Sequence, residues 1–100
     1  KKCVPCEGGI PPLSTREVIN FMQELKEWIL DNGHLVRNFQ FKDFKENMNF
    51  VNKIAKLAEE EGHHPALFMN YNKLKVELWT HAINGLSEND FILAAKIDSL

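Results

Sequence analysis

The sequence predicts an α+β domain in which three helices pack on one face of a four-stranded antiparallel sheet, in the order αββαββα. Two observations support this prediction. Three stretches repeat apolar residues at steps of three and four, as helices do, and the segments between them alternate apolar and polar residues, as strands do. With 100 residues, of which 44% are hydrophobic and 26% charged, the chain has the size and composition of one folded domain.

Residues 1–13 are rich in proline and glycine and are predicted to form a flexible arm, whereas residues 14–100 are predicted to form the single domain. Cys3 and Cys6 lie in the arm with the spacing of half a structural zinc site, but no second pair follows. Two reduced thiols, a local disulfide and a zinc shared between subunits all stay open. This cysteine usage favours a reducing, cytoplasmic compartment over a secreted one.

Helix 1 is predicted to begin at Thr15 and to end near Asp31. Its start follows from Ser14 and Glu17, whose three-residue spacing is that of a capping box. Apolar residues then recur at helical steps and form one stripe. The Asn-Gly pair at residues 32–33 is interpreted as the stop signal, because both residue types tolerate the left-handed conformation that ends helices.

A half-buried strand is predicted over residues 34–41, where apolar residues recur at a period of two. A second short strand is predicted to pair back onto it after residues 42–43, Lys-Asp. Helix 2 should then cover residues 45–61, since its apolar residues repeat with helical spacing until Gly62 interrupts them.

Residues 66–71 and 74–81 are predicted to form a β-hairpin around a turn at residues 72–73, Asn-Lys, because asparagine accepts the positive φ that two-residue turns demand. In the second strand, the alternation of side chains places His81 on the same side as Trp79 and away from the aliphatic face. This hairpin supplies the third and fourth strands of the sheet.

The last helix is predicted to begin at Ser87, which has an acidic residue, Asp90, three positions later in the spacing of a second capping box. Its apolar residues Phe91, Ile92 and Ala95 should face the core. This helix completes the predicted order of elements.

The composition argues against several classes of function. A formal net charge of −2 offers no electrostatic footprint for a phosphate backbone, so nucleic acid is not expected as a direct ligand. No apolar run approaches the ~20 residues that a membrane helix requires, so no membrane partner is expected. The sequence has no glycine-rich phosphate loop and no serine in a Gly-x-Ser-x-Gly context, which argues against a phosphate site and a serine nucleophile.

His63, His64 and His81 are three of the four histidines of the chain and the candidate catalytic residues. The first two follow directly on helix 2, and Pro65 holds His64 in an extended conformation, so the pair marks a helix-to-strand junction. Three imidazoles could bind a catalytic zinc, but adjacent side chains diverge and no helical or strand ligand pair is present, so no metal is expected. Metal-free proton transfer near neutral pH and a purely structural role both stay open.

A longer pattern contains these histidines and reaches over essentially the whole chain. It comprises Glu59, His63-His64-Pro65, Tyr71, His81 and Asp90, together with Phe41-Lys42-Asp43-Phe44, Tyr71-Asn72-Lys73 and the tail Cys-x-Pro-Cys-x-Gly-Gly. In this order and at these intervals, the residues resemble the signature of the pterin-4a-carbinolamine dehydratases. The chain departs from the animal members at Asn89, where an arginine is expected, so a substrate contact from that position is not carried over.

The resemblance implies that the chain dehydrates a 4a-hydroxytetrahydropterin to a quinonoid dihydropterin, as in tetrahydrobiopterin recycling, without a cofactor. By the same resemblance, His63 is the acid at the 4a hydroxyl group, while His64 and His81 bind the pterin and handle the second proton. Glu59 and Asp90 are implied as substrate-binding residues. Each has a simpler interpretation as well, Glu59 as a solvated member of an acidic run and Asp90 as a helix cap.

The resemblance also implies a homo-oligomer, either a dimer or a tetramer made of two dimers. Animal members of the family act in addition as dimerisation cofactors of a homeodomain transcription factor, so a protein-binding module is the alternative from another functional class. A folate- or molybdopterin-linked variant would keep the pterin pocket and change the substrate. A dehydration assay distinguishes these alternatives.

Overall fold

The computed structural model describes residues 11–100, and residues 1–10, with Cys3 and Cys6, lie outside this description. The described chain contains three α-helices and four strands in the order αββαββα, which confirms the predicted fold class. The elements are α1 (Thr15–Met22), β1 (Ile29–Asp31), β2 (His34–Gln40), α2 (Phe44–Glu61), β3 (Ala66–Asn70), β4 (Lys73–Leu78) and α3 (Glu88–Asp98), with a short 3-10 helix at His81–Ile83. None of the helices in residues 11–100 is both long and apolar enough to span a membrane.

The four strands form one antiparallel sheet in the spatial order β1-β2-β4-β3. Side chains alternate between its two faces, and on β4 the buried Leu74 and Leu78 point to the same one. Ile54 of α2 and Leu93 of α3 are fully buried in the same core. The helices therefore cover one face of the sheet and leave the other open, where Phe68 of β3 is 54% exposed.

Helix α1 ends at Met22 rather than near Asp31, so this part of the prediction was wrong. Residues 29–31 form the edge strand β1 and pair with β2 through a two-residue turn. In that turn Asn32 and Gly33 have φ values of 51° and 78°, which is the conformation that a tight hairpin demands. An Asn-Gly pair is typical of a helix end and of a hairpin turn, and here it forms the hairpin.

No strand lies between residues 42–43 and the next helix, contrary to the prediction, because α2 begins directly at Phe44. Asp43 instead caps α2, because its side chain accepts a hydrogen bond from the backbone N–H of Glu46 at 2.9 Å. The strand that pairs with β2 in place of the predicted one is β1, which precedes β2 in the chain. The order of elements is therefore as predicted, although one strand was assigned to the wrong segment.

The β3–β4 hairpin forms as predicted, but its turn lies at Tyr71 and Asn72, one residue earlier than expected. Asn70 pairs with Lys73 across this turn, and Tyr71 has a φ of 48°. The turn is attached to the end of β2, because the N–H of Phe41 donates to the carbonyl of Asn72 at 2.7 Å. This bond adds to the pairing of β4 with β2 and attaches the hairpin turn to the end of β2.

Residues 12 and 13 belong to the predicted arm but already contact the domain. The N–H of Leu13 donates to the carbonyl of Leu86 at 2.8 Å, just before α3. Pro12 approaches Gly85 so closely that a Cβ atom at position 85 would lie 2.8 Å from the Cβ of Pro12. The packed region therefore includes these two residues.

Candidate functional site

His63, the first candidate residue, stands just beyond the end of α2. Gly62 ends this helix in a left-handed conformation with a φ of 66°, and its N–H donates to the carbonyl of Ala58. Beyond that turn, His63 Nε2 lies 2.6 Å from Asp90 Oδ1. The His63 side chain is 13% exposed, so most of the ring is enclosed and part of it stays accessible.

Asp90, in the first turn of α3, is fully buried and uses both of its carboxylate oxygens. Oδ1 contacts His63, and Oδ2 accepts from the Thr80 hydroxyl at 2.8 Å and from the backbone N–H of Ser87 at 2.9 Å. Because the Thr80 proton is directed to Asp90, the Ser87 hydroxyl is the donor in its 2.7 Å bond to Thr80. One carboxylate thus joins the end of α2, the segment after β4 and the start of α3.

His64 and Glu59 form a second pair of an imidazole and a carboxylate, and this pair lies on the surface. His64 Nε2 is 2.5 Å from Glu59 Oε2, and the two side chains are 61% and 78% exposed. An exposed pair of this kind contributes little to stability. Both groups are therefore accessible from solvent.

His81 begins the 3-10 helix rather than ending β4, which stops at Leu78. The predicted strand to residue 81 was wrong because the chain turns back after Thr80, whose N–H donates to the carbonyl of Gly85 at 2.8 Å. The His81 ring nevertheless lies beside Trp79, as the alternation predicted, with 4.4 Å between the ring centroids.

The side chains of His34 and Glu77 also lie at this end of the sheet, although neither was predicted to belong to the site. The His34 imidazole stacks on the Trp79 indole, with 4.2 Å between centroids and 4° between ring planes. His34 Nδ1 lies 2.6 Å from Glu77 Oε2. The alternation gives the face of its strand on which each of these residues lies, but the pairing of β2 with β4 that brings them together was not predicted.

These contacts bring together the chain segments that carry the predicted histidines. Asp90 links His63 to Thr80, the residue before His81, and His64 follows His63 directly in the chain. Two of the three imidazoles have carboxylate partners, which suits the transfer of protons to and from a bound molecule. Between residues 11 and 100, no three side chains of His, Cys, Asp or Glu are grouped as a metal ion requires.

Known proteins similar to this chain carry related names. Residues 11–100 match the family model described as Pterin 4 alpha carbinolamine dehydratase. A protein of Rickettsia bellii, provisionally named a pterin-4-alpha-carbinolamine dehydratase, is 54% identical over 102 aligned positions, which cover 100% of this chain and 90% of that protein. A Rickettsia canadensis protein with the same provisional name is 52% identical, with coverage of 99% and 93%.

The fold also matches a solved structure over nearly its whole length. A crystal structure from Brucella melitensis, described as a transcriptional coactivator/pterin dehydratase, superposes with a TM-score of 0.84 at 33% identity. The match covers 88% of this chain and 96% of that one.

Proposed function

This chain belongs to the pterin-4a-carbinolamine dehydratase family, and we propose from this premise that it converts a 4a-hydroxytetrahydropterin to a quinonoid dihydropterin and water. The proposal includes a role in tetrahydrobiopterin recycling in a reducing cytoplasm, with neither a cofactor nor a metal. The single observation that carries it is the buried Asp90 carboxylate, 2.6 Å from His63 Nε2. This contact holds an imidazole ready for proton transfer at the end of α2.

The reaction is an elimination that needs one proton donor and one proton acceptor. The N5 lone pair of the substrate forms a second bond to C4a while the C4a–O bond breaks, and the hydroxyl group takes a proton and leaves as water. N5 then loses its own proton to a base, which yields the quinonoid dihydropterin. Positioned proton transfer contributes roughly 10² to 10⁴ in rate, which is enough for an elimination that also proceeds unaided.

His63 is assigned the role of acid. When its Nε2–H donates to Asp90, the other ring nitrogen, Nδ1, is directed away from the carboxylate and is available to the substrate. A protonated ring gives the Nδ1 proton to the leaving hydroxyl group while the bond to Asp90 stays in place. The part of the ring that stays exposed, 13% of the side chain, is the surface at which a pterin would contact it.

Asp90 is assigned a positioning role rather than the substrate contact that the resemblance implied. Its side chain is fully buried, and both oxygens accept hydrogen bonds from the protein. A carboxylate on one ring nitrogen determines which tautomer of the imidazole is present and how the ring is oriented. In this proposal Asp90 therefore acts through His63.

His64 and His81 are assigned to pterin binding and to the second proton transfer. Both side chains are exposed, and both flank the segments that Asp90 joins. Glu59 is the candidate for a direct hydrogen bond to the substrate, because its carboxylate is 78% exposed and a pterin presents N–H donors.

The test is the rate at which purified protein releases quinonoid dihydropterin from a synthetic 4a-carbinolamine, followed by absorbance against the uncatalysed reaction. We expect an acceleration that is proportional to protein concentration and that 7,8-dihydropterin inhibits by competition. A rate equal to that of the uncatalysed reaction, measured with protein shown to be folded, would exclude the proposed activity.

We also propose that the chain forms a homodimer or a homotetramer. The edge strand β1 exposes Ile29 at 55% and Leu30 at 46%, and its outer side has no strand partner among the described residues. Natural proteins usually cover such an edge. A monomeric mass in light scattering at micromolar concentration would contradict this assembly.

A protein-binding role is the second candidate function, and an apolar groove between α1 and α3 favours it. The groove encloses about 340 Å³, and its apolar lining includes Phe21, Leu25, Phe91 and Ile92. The Brucella relative is described as a coactivator as well as a dehydratase. Under this alternative, the partner would be a transcription factor. The protein would assemble with other chains and would not accelerate the dehydration above its uncatalysed rate.

A further inference from the structure

His34 is the histidine that the proposed mechanism leaves unused, although it lies in the same region. It opens β2 directly after the hairpin turn and shares with Glu77 the sheet face that the helices leave open. Its Nδ1 is 2.6 Å from Glu77 Oε2, and the two side chains are only 25% and 18% exposed. A carboxylate on one ring nitrogen fixes the plane of the imidazole.

The His34 ring lies flat on the indole of Trp79, with centroids 4.2 Å apart and planes 4° from parallel. Glu77 lies in β4 and Trp79 comes directly after its end, and both side chains contact the His34 ring. Glu77 therefore orients the His34 ring by a hydrogen bond, and Trp79 packs against it by stacking. The imidazole and the indole form one packed unit at the end of the sheet.

Trp79 in turn contacts His81, with 4.4 Å between centroids and 34° between planes. The other two candidate histidines each have a carboxylate partner. In the part of the chain that the structure describes, no side-chain hydrogen bond holds the His81 imidazole. Contact with Trp79 is thus the described interaction that orients this ring.

We propose that His34 is a positioning residue for His81 and acts through Trp79. The inference rests on the proposed function, in which His81 binds the pterin ring. Trp79 also packs against the hydrophobic core, so loss of the His34 ring uncovers one face of the indole without releasing it, and the surface that orients His81 becomes less rigid. Substrate binding should weaken more than the chemical step, because a group that positions the bound ring stabilises ground and transition states alike.

The test is a double-mutant cycle on His34→Ala and His81→Ala, read as KM and kcat for the synthetic carbinolamine. We expect His34→Ala to raise KM roughly twofold to tenfold, the range that one aromatic pair is worth, with kcat nearly unchanged. In the His81→Ala background the same change should have no further effect, because residues that act through one another are not additive. His34→Phe should restore most of the binding, because a phenyl ring still stacks on Trp79.

Lys73→Ala is the matched control, since Lys73 is exposed on the same face of β4 at the far end from Trp79. Near-ultraviolet circular dichroism of His34→Ala and His34→Phe reports on the stack independently of turnover, and thermal unfolding checks that both variants fold. The inference is overturned if KM is unchanged in His34→Ala, or if the two KM effects simply multiply in the double variant.

Failure of the proposed function gives a different result. If the wild-type protein does not accelerate dehydration, the dissociation constant of 7,8-dihydropterin is measured for the same four proteins of the double-mutant cycle. This pterin has no 4a hydroxyl group to lose, so its binding does not depend on turnover. Non-additive weakening of that binding supports the positioning role of His34 in a pterin site without dehydratase activity. No binding of 7,8-dihydropterin to the wild-type protein overturns both proposals.

Discussion

Asp90 Oδ1 lies 2.6 Å from His63 Nε2, although 27 positions separate the two residues in the chain. The other oxygen of Asp90 accepts from Thr80 and from the backbone of Ser87, where α3 begins. One buried carboxylate therefore holds a helix cap and the candidate acid at the same time. A change at Asp90 should disturb both stability and turnover.

Asp90→Asn should lower the free energy of unfolding and kcat together. Asparagine keeps the shape but has one acceptor oxygen, so its amide nitrogen must face either His63 or the donors of Thr80 and Ser87. A buried donor without an acceptor costs about 1–3 kcal/mol, which chemical denaturation would show. We expect kcat to fall roughly tenfold or more, because positioned proton transfer contributes roughly 10² to 10⁴.

Asp98→Ala is the matched control at the other end of α3, because it leaves the indole N–H of the buried Trp28 without an acceptor. Asp98 accepts from the indole N–H of Trp28 at 2.8 Å and from Arg37, so it too joins distant segments. This variant should lose stability to a similar extent while kcat stays near the wild-type value. Equal losses of kcat in the two variants would mean that Asp90 affects turnover only through the stability of the fold.

Most elements could be predicted because their periodicity allows one interpretation. Helix α2 is long and ends at a glycine, and the β3–β4 hairpin alternates clearly. Helix 1 was predicted too long because the apolar Leu25, Trp28 and Ile29 suit a helix as well as a turn followed by an edge strand. A distant contact decides between these, since the buried Trp28 donates to Asp98, 70 positions away. No local pattern contains that information.

The candidate histidines could be identified from residue type and order, but their partners could not. The spacing of Asp90 from Ser87 predicted the cap and gave no sign of the bond to His63. His34 meets Trp79 because β2 pairs with β4. Periodicity gives the two faces of a strand, whereas which strands become neighbours depends on the whole sheet.

Gly33→Ala should destabilise the protein by about 1 kcal/mol, because a φ of 78° is unfavourable for a residue with a Cβ atom. Beyond the chain neighbours, no atom lies within 4 Å of the position that this Cβ would take. The backbone conformation alone should therefore cause the loss. Asn32→Gly is the control, because glycine accepts the φ of 51° at that position. An unchanged thermal midpoint for Gly33→Ala would contradict the hairpin turn.

The capping box of α1 predicts a stability that depends on pH. The backbone N–H of Ser14 donates to Glu17 Oε1 at 2.9 Å, and this bond, followed by the one with the Ser14 side chain, lowers the pKa of Glu17 below its ordinary value of 4.5. Because the pKa of Glu17 is lower in the folded state than in the unfolded state, the stabilisation by this carboxylate is fully present above the unfolded-state pKa. It is lost as the pH falls through the folded-state pKa.

Glu17→Ala should therefore lower the thermal midpoint near neutral pH, and its difference from the wild type should shrink towards about pH 3. Glu17→Gln is the control, because its amide can still take part in the capping box but does not titrate in this range. The difference in thermal midpoint between Glu17→Gln and Glu17→Ala should thus stay constant with pH. A constant difference between the wild type and Glu17→Ala would contradict the prediction.

His63→Ala and His64→Ala should differ in their effects on stability. His63 is 13% exposed, and its removal leaves an oxygen of the buried Asp90 without a donor, which should cost about 1–3 kcal/mol. His64 is 61% exposed, and its removal should change the free energy of unfolding by less than about 0.5 kcal/mol. Chemical denaturation of the two single variants measures the difference.

Either single change should leave partial activity, because clustered imidazoles replace one another imperfectly, whereas the double variant of His63 and His64 should fall close to the uncatalysed rate. His63→Ala should lower kcat with pterin still bound, and His81→Ala should chiefly raise KM. His63→Gln is the control, because its amide N–H can still donate to Asp90 but does not exchange a proton near neutral pH. It should keep the stability and lose as much kcat as His63→Ala. If the double variant keeps most of its activity while circular dichroism shows a folded protein, the catalytic groups lie elsewhere, at Glu59, Asp90 or the backbone.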